Sequence, residues 1–231
     1  MPQSTNSPLL IADSNPHSPI TEAYRTLRTN IRFSSVDKPA QVIMVGSAVP
    51  GEGKSTTAAN LSIVYAQEGK KVLLMDCDLR KPTVHTRFAV HNRNGLTNLL
   101  AGNYQPHEAF RETGVDNLTV ITSGAIPHNP SELLASKRMA GLLEKFRADF
   151  DIIIIDTPPI LAVTDALIVS SFSDGVVLVV KSGKTKKALV QKAKSSLDHV
   201  NANLLGVVLN NKKREDAEAG YVYYYGADEA K

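Results

Sequence analysis

The 231-residue sequence contains a single cysteine, Cys77, which excludes both an internal disulfide and a multi-cysteine zinc site. This cysteine usage is typical of a reducing compartment. No apolar run reaches the ~18–20 residues that a membrane-spanning helix requires, and the polar N-terminus lacks the charged start and apolar stretch of a signal peptide. The formal net charge of +3 is too small to indicate a nucleic-acid partner. We therefore expect a cytoplasmic protein with no membrane span of its own.

Hydrophobic residues make up 42% of the chain, enough for one well-buried α/β domain at this length. Six nearly continuous apolar segments of strand length lie at residues 41–46, 72–75, 118–121, 152–155, 176–180 and 204–209. Helical patterns lie between them, at 54–68, 131–150, 165–172 and 185–200. Continuous apolarity indicates strands that are buried on both faces, so we predict a mainly parallel sheet with helices on both faces.

The two ends of the chain differ from this central region. Residues 1–17 are rich in Pro, Ser and Asn and are predicted to form a flexible arm. Residues 18–211 are predicted to form the domain, which begins with a helix at 18–33 that Ser18 caps and Pro19 starts. Residues 212–231 are charged and then tyrosine-rich, and are predicted to form a mobile tail.

A phosphate-binding loop is predicted at the end of the first strand. Residues 47–56 read Ser-Ala-Val-Pro-Gly-Glu-Gly-Lys-Ser-Thr and match G-x-x-x-x-G-K-[ST], with Ala48 in place of the first glycine. A strand precedes the match and a helix follows it, so an unliganded glycine turn is a weaker interpretation. We predict an ATP site there, in which backbone N–H groups and Lys54 contact phosphates and Ser55 contacts Mg²⁺. The predicted ATP-binding residues of the loop are Pro50, Gly51, Glu52, Gly53, Lys54, Ser55 and Thr56.

Acidic residues follow two further strands. Asp76 and Asp78 come after the strand at 72–75, and Asp156 follows the strand at 152–155. The carboxyl ends of parallel strands form the ligand edge of an open sheet, where Mg²⁺ finds the oxygen ligands that it prefers. Capping of a following turn explains many single aspartates at strand ends, but explains three beside a phosphate loop less well. Cys77 points to the opposite side and is predicted to be a small buried filler.

Together these blocks resemble the deviant-Walker ATPases, and within them the bacterial tyrosine kinase (BY-kinase) family, in particular its separate cytoplasmic kinase subunit in Gram-positive bacteria. The resemblance extends from Ser18 to the tail. It rests on PGEGKST at 50–56, LMDCDLRKP at 74–82, IIIDTPP at 153–159, PHNPSELL at 127–134 and EAYRTLR at 22–28. Partitioning-type ATPases carry a signature lysine where this chain has Val49, which makes a switch ATPase of that type a weaker match.

The resemblance implies a role for each matching residue. Lys54 and Ser55 bind phosphate and Mg²⁺, Asp78 and Asp156 hold the metal directly or through water, and Asp76 is the general base for an incoming tyrosine hydroxyl. Asn210 stands where relatives recognise adenine. A turn at Asn210-Asn211 is an equally good interpretation of that residue.

The same resemblance assigns roles to the two ends. It implies that Glu22, Arg25 and Arg28 form an oligomerisation motif, although their spacing alone fits a solvated helix face. It also implies that the tail is an autophosphorylation cluster, with an edge strand as the alternative for these residues. The tyrosines in question are Tyr221, Tyr223, Tyr224 and Tyr225. Lysines between 181 and 194 are predicted to form a solvated face, with an acidic partner or a lipid surface as the alternative.

We therefore predict an ATP- and Mg²⁺-dependent protein-tyrosine kinase that phosphorylates its own C-terminal cluster, in trans within an oligomer. The resemblance implies control of capsule or exopolysaccharide synthesis and recruitment to the inner face of the membrane by a transmembrane adaptor. It also implies a subunit ring, a phosphotyrosine phosphatase, and substrates such as polysaccharide-precursor enzymes. The alternatives are a partner-recruiting switch ATPase and a ring scaffold for polysaccharide export.

Overall fold

A computed structural model describes residues 10–34 and 39–212. The strands are β1 (Val42–Ser47), β2 (Val72–Asp76), β3 (Phe110–Glu112), β4 (Leu118–Ile121), β5 (Ile152–Asp156), β6 (Gly175–Lys181) and β7 (Leu204–Asn210). The helices are α1 (Ile11–Ser14), α2 (Pro19–Phe33), α3 (Lys54–Gln67), α4 (Val84–Arg87), α5 (Leu96–Ala101), α6 (Pro106–Ala109), α7 (Pro130–Leu134), α8 (Lys137–Asp149), α9 (Asp165–Ser170) and α10 (Lys187–His199). Among these residues, no helix combines the length and the apolarity needed to cross a bilayer.

The strands form one sheet in the order β3-β4-β2-β5-β1-β6-β7. All neighbouring pairs are parallel except β3 with β4. The predicted mainly parallel α/β sheet is therefore confirmed. β1, β2 and β5 lie side by side because their side chains are almost entirely buried and each strand needs cover on both faces.

Two apolar core halves cover the faces of this sheet. In one half, α5, α8, α9 and α10 pack on alternate residues of the strands, for example Met44 and Leu178. In the other half, α2 and α3 pack on the intervening residues, for example Ile43 and Val179. Cys77 is fully buried in the first half, as predicted. This two-sided packing leaves the carboxyl edge of the sheet free for a site.

The structure departs from the sequence prediction at three places. The helix predicted at 131–150 is two helices, α7 and α8, because Ser136 breaks the pattern and caps α8 through Met139 N–H. The short antiparallel edge strand β3 was not predicted at all. The flexible arm predicted for 1–17 is wrong for its last part, since α1 packs on α3 with Leu10 and Ala12 buried. Residues 1–9 lie outside the described residues.

A charged cluster stabilises the opposite edge of the sheet. The carboxylate of Asp174 accepts hydrogen bonds from the N–H groups of Gln41 (2.9 Å) and Val42 (2.8 Å), and from both terminal nitrogens of Arg147 (2.8 and 2.9 Å). Burial by itself raises the pKa of Asp174, but the hydrogen bonds from Arg147, Val42 and Gln41 outweigh it and lower the pKa below its ordinary value.

We expect Asp174→Asn to lower the free energy of unfolding by about 1.5–3 kcal/mol at pH 7, because it removes the charge from these bonds. The folded-state pKa is below the unfolded value of ~3.9, so the wild-type advantage is complete above that pH and disappears as pH falls through the folded pKa. Urea unfolding at pH 7 and at acid pH measures both. An equal difference between the two proteins at both pH values contradicts the assignment.

Candidate active site

The loop between β1 and α3 has the backbone geometry that binds phosphate. Gly51 (φ +79°) and Gly53 (φ +97°) adopt the left-handed conformation that disfavours other residues. Gly53 caps α3, so the first N–H groups of this 14-residue helix point into the loop. A Cβ at Gly53 would also collide with the side-chain amide of Asn210. Both glycines therefore suit this conformation, although the motif specifies only Gly53.

Glu52 is turned inward, away from the phosphate side of the loop. Its carboxylate is 2% exposed and accepts hydrogen bonds from the N–H of Val49 (2.8 Å), the N–H of Lys181 (3.3 Å) and the hydroxyl of Thr185. These contacts tie the loop to the connection between β6 and α10. Thr185 is a site residue that the sequence analysis missed, because it lies 133 positions from Glu52 and carries no motif.

The amide of Asn210 makes a second tie. Its Nδ2 donates to the carbonyl of Glu52 (2.8 Å), and its Oδ1 accepts from the N–H of Asn211 (2.8 Å), whose φ is +60°. Asn210 therefore both forms the turn and holds the loop. The predicted contact with adenine remains a prediction, now for a side chain that lies beside the nucleotide loop.

We expect Thr185→Val to weaken binding of Mg-ADP about 10-fold, the equivalent of ~1.4 kcal/mol. Valine has nearly the same shape but leaves the buried carboxylate of Glu52 with one donor fewer, so the loop loses its fixed conformation. Thr185→Ser keeps the hydroxyl and is the matched control. Titration with a fluorescent ADP analogue measures the affinities, and equal binding by the valine variant and wild type contradicts this role.

Three carboxylates meet beside the loop at the ends of β2 and β5. Asp76 and Asp156 are register partners on these adjacent strands, and Asp78 follows two residues after Asp76. All three are buried, with exposures of 0–4%. The prediction that the strand-end aspartates lie together is therefore confirmed by their placement.

Asp76 is held by its own loop. One oxygen accepts from the N–H of Asp78 (3.1 Å), and the other accepts from the N–H groups of Thr83 (3.1 Å) and Val84 (3.0 Å). Burial and then the neighbouring charge of Asp156 raise the pKa of Asp76 to about 8, against the smaller effect of the backbone donors. Its carboxylate is thus a much stronger base than an exposed aspartate.

Lys54 supplies the counter-charge of the cluster. Its ammonium lies 3.4 Å from Asp78 Oδ2 and 4.0 Å from Asp156 Oδ1, and donates to Ser55 Oγ (3.2 Å). Burial raises the pKa of Asp156, while Lys54 and then Ser55 oppose the rise. The predicted phosphate lysine therefore lies within 4.0 Å of each of the three residues predicted to hold the metal.

The donor set fits a hard divalent cation. Both oxygens of Asp156 are buried and have no hydrogen-bond partner of normal geometry among the described residues, although the Ser55 hydroxyl and the Lys54 ammonium are near; a cation or its waters would satisfy them. Asp78 has one oxygen bonded to the N–H of Lys81 (2.9 Å) and the other facing Lys54. In the part of the chain that the structure describes, no group of three or more His, Cys, Asp or Glu side chains forms a self-contained metal site. A cation here therefore needs ligands beyond the two carboxylates, as Ser55, water or phosphate oxygens supply.

Two arginines near the cluster were not predicted as site residues. Arg87 on α4 is mostly buried, and within the described residues its Nε and Nη1 have no hydrogen-bond partner; burial lowers its pKa, while the charges of Asp156 and Asp76 oppose this. Arg80 forms a two-pronged bond to the buried Asp165 (2.9 and 3.0 Å), and Ser131 donates to the same carboxylate (2.7 Å). This contact joins the 74–82 and 127–134 segments in space.

The residues predicted for oligomerisation lie on α2. Arg25 bonds Glu22 (3.1 Å) on the surface, whereas Arg28 donates to the carbonyl of Val64 on α3 (2.6 Å) and lies 3.7 Å from Glu68. Arg28 thus secures α2 on its own domain, and the other two face outward. The tail tyrosines lie outside the described residues.

The chain is similar to known protein kinases over most of its length. A family model described as an AAA domain matches residues 40–204. Tyrosine-protein kinase YwqD of Bacillus subtilis is 52% identical over 213 residues, covering 92% of this chain and 90% of the relative. The putative tyrosine-protein kinase CapB of Staphylococcus aureus is 41% identical over 226 residues, covering 98% of each.

Solved structures of similar proteins superpose on this chain. The chimerical protein CapA2B2 superposes with a TM-score of 0.86 at 44% identity, over 89% of this chain and 91% of that one. The cell division ATPase MinD of Pyrococcus furiosus superposes less closely, with a TM-score of 0.66 at 28% identity, over 76% of this chain and 74% of that one.

Proposed function

This chain belongs to the bacterial tyrosine-protein kinase family, and we propose that it uses Mg-ATP to phosphorylate the tyrosines of its own C-terminal segment. Kinase activity follows from the family itself. The acceptor, the metal and the roles of individual residues are the subject of the proposal. The observation that carries it is the contact between Lys54 of the phosphate loop and the buried Asp78 and Asp156.

The phosphate loop and the carboxylate cluster have different roles in the proposed reaction. The loop N–H groups and Lys54 position the transferring phosphoryl group and offset its charge, which supplies most of the rate enhancement in this chemistry. Ser55, Asp78 and Asp156 would hold Mg²⁺, which would neutralise phosphate charge. Because this set has two carboxylates and one hydroxyl among its protein ligands, nucleotide and metal are expected to bind together.

Asp76 is assigned as the base that takes the proton from the tyrosine hydroxyl. A tyrosine hydroxyl ionises with a pKa near 10, so proton transfer to a carboxylate whose pKa is about 8 is far less uphill than transfer to an exposed aspartate. The backbone donors at Thr83 and Val84 hold the carboxylate in one orientation.

Ten residues, 211–220, separate the end of β7 from the first tail tyrosine. β7 ends at Asn210, which bonds the phosphate loop, and the first tail tyrosine is Tyr221. Transfer in trans fits an oligomer joined through α2, where Glu22 and Arg25 face outward. By family membership we also propose a transmembrane adaptor that brings the kinase to the membrane, a phosphatase that reverses the reaction, and control of capsule or exopolysaccharide synthesis.

The decisive experiment uses γ-labelled ATP, Mg²⁺ and a candidate adaptor tail. We expect label on tyrosine that is absent in a variant with all four tail tyrosines changed to phenylalanine. Release of free phosphate with no labelled protein supports a switch ATPase and overturns the proposal. Label that persists on the phenylalanine variant overturns the acceptor assignment alone.

A further inference from the structure

Lysines that have no ion pair among the described residues form a surface at the start of α10. Residues 181–197 contain six lysines and no aspartate or glutamate. Lys184, Lys186 and Lys187 are exposed in the connection from β6 and at the first residue of the helix. We call these three residues the α10 lysine surface.

Nothing in the described part of the chain offsets this charge. Lys186 and Lys187 stand at the positive end of the helix dipole, and the first turn of α10 contains no acidic residue. Of the six lysines between 181 and 194, only Lys194 has an ion pair within the described residues, with Asp198 (2.7 Å), and it lies about two turns beyond Lys187. Glu52, the carboxylate bonded to this connection, is buried and already bound by Thr185. The surface is therefore suited to an anionic partner from elsewhere.

An exposed apolar strip adjoins the lysines. Val207 and Leu209 of the edge strand β7 are 50% and 62% exposed. They pair in register with Leu178 and Val180, which belong to the core half that α10 covers. Side chains of successive residues alternate between faces, so Val207 and Leu209 lie on the face that carries α10. A partner that combines aromatic with acidic side chains complements both the strip and the lysines.

The C-terminal segment of this chain has that composition. Between residues 215 and 230 it contains five carboxylates, four tyrosines and no lysine or arginine. The last described strand ends next to the surface: Asn210 is the register partner of Lys181, and its carbonyl accepts a hydrogen bond from the N–H of Ser182 (2.8 Å). The five residues from Asn210 to residue 215 reach up to ~16–18 Å, several times the ~5 Å spacing of neighbouring strands.

We propose that the α10 lysine surface, with Val207 and Leu209, binds residues 215–230 of the same chain. The bound segment is held on its own domain and away from the ATP of a neighbouring subunit. This consequence rests on the proposed function, and phosphorylation then tightens the contact, since each phosphate adds about 1.5–2 negative charges. The kinase thereby limits its own reaction.

The test attaches a dye to a cysteine appended to the C-terminus of the full chain. Cys77 is buried and does not compete for the label. Without ATP, we expect a slow component in the anisotropy decay that persists on dilution and disappears in high salt, where charges are screened within a few ångströms. The slow component should be lost when the three lysines of the surface are changed to serine, and when the five tail carboxylates are changed to their amides.

A matched control changes three exposed lysines elsewhere, Lys70, Lys137 and Lys145, to serine and should retain the slow component. Retention in the Lys184, Lys186 and Lys187 variant, or equal loss in the control, overturns the proposal. Loss on dilution overturns the assignment to the same chain. Because no nucleotide is present, these outcomes are independent of whether the tail is a kinase substrate.

Discussion

Replacing Lys54 by methionine is expected to lower the rate of tyrosine phosphorylation at least ~10³-fold, at the upper end of what one charge-stabilising donor supplies. We propose two functions for the ammonium in this site. It positions the phosphoryl group, and it lies 3.4–4.0 Å from two buried carboxylates that otherwise repel each other and the phosphates. Methionine preserves the length of the side chain and removes the charge.

The measurement is the initial rate of label transfer, with the melting temperature recorded in the same buffer. Lys145→Met, on the exposed face of α8, is the control for removing one lysine and should keep the wild-type rate. The pKa of Asp156 should rise further in Lys54→Met, since Lys54 opposes the effect of burial there. A folded Lys54→Met protein that keeps more than about a tenth of the wild-type rate contradicts the assigned role.

Asp76→Asn is expected to lower kcat by about 10²–10⁴-fold while leaving the KM for ATP nearly unchanged. Asparagine fits the same space and keeps one acceptor for the backbone donors, but it cannot take a proton. The melting temperature at pH 8 should equal or exceed that of wild type. The folded-state pKa of about 8 lies above the unfolded value, so ionised Asp76 destabilises the fold progressively as pH rises from about 4 to 8.

Asp78→Asn distinguishes the base from the metal ligands. The activity lost in Asp78→Asn should recover in part at raised Mg²⁺. The loss in this variant comes from weaker binding of the ion, and the base Asp76 is still present. Activity of Asp76→Asn should stay low at every Mg²⁺ concentration. Recovery of that variant with Mg²⁺ shows instead that Asp76 acts through the metal.

Much of this protein follows from the sequence because the signals are local. The match at 47–56, with a strand before it and a helix after it, determines the phosphate loop, and buried continuous strands determine the parallel sheet. The carboxyl ends of such strands form one edge, so Asp76, Asp78 and Asp156 were expected to meet. The start of α2 was also predicted from adjacent residues, and the structure confirms it: Ser18 caps the helix by accepting a hydrogen bond from the N–H of Thr21 (3.1 Å).

Other features needed the tertiary structure because their partners are far apart in the chain. Thr185 and Asn210 hold Glu52 from 133 and 158 positions away, and Arg80 meets Asp165 across 85. A single threonine or arginine forms no periodic pattern or motif in the sequence, so such a contact cannot be predicted from it. The same reason explains why α1 was not predicted. Leu10 and Ala12 lie in a polar stretch of sequence, and they are buried only because α1 packs on α3.

For the phosphate loop, the sequence and the tertiary structure determine different properties. Its sequence determined that it binds phosphate, because the glycines and Lys54 are adjacent residues whose chemistry is set by local backbone conformation. Only the fold decided what keeps the loop in that conformation and what charge surrounds it. Burial of Glu52, Asp76 and Asp156 gives their charges and hydrogen bonds an energy that the same residues lack in water, and burial is a property of the packed chain.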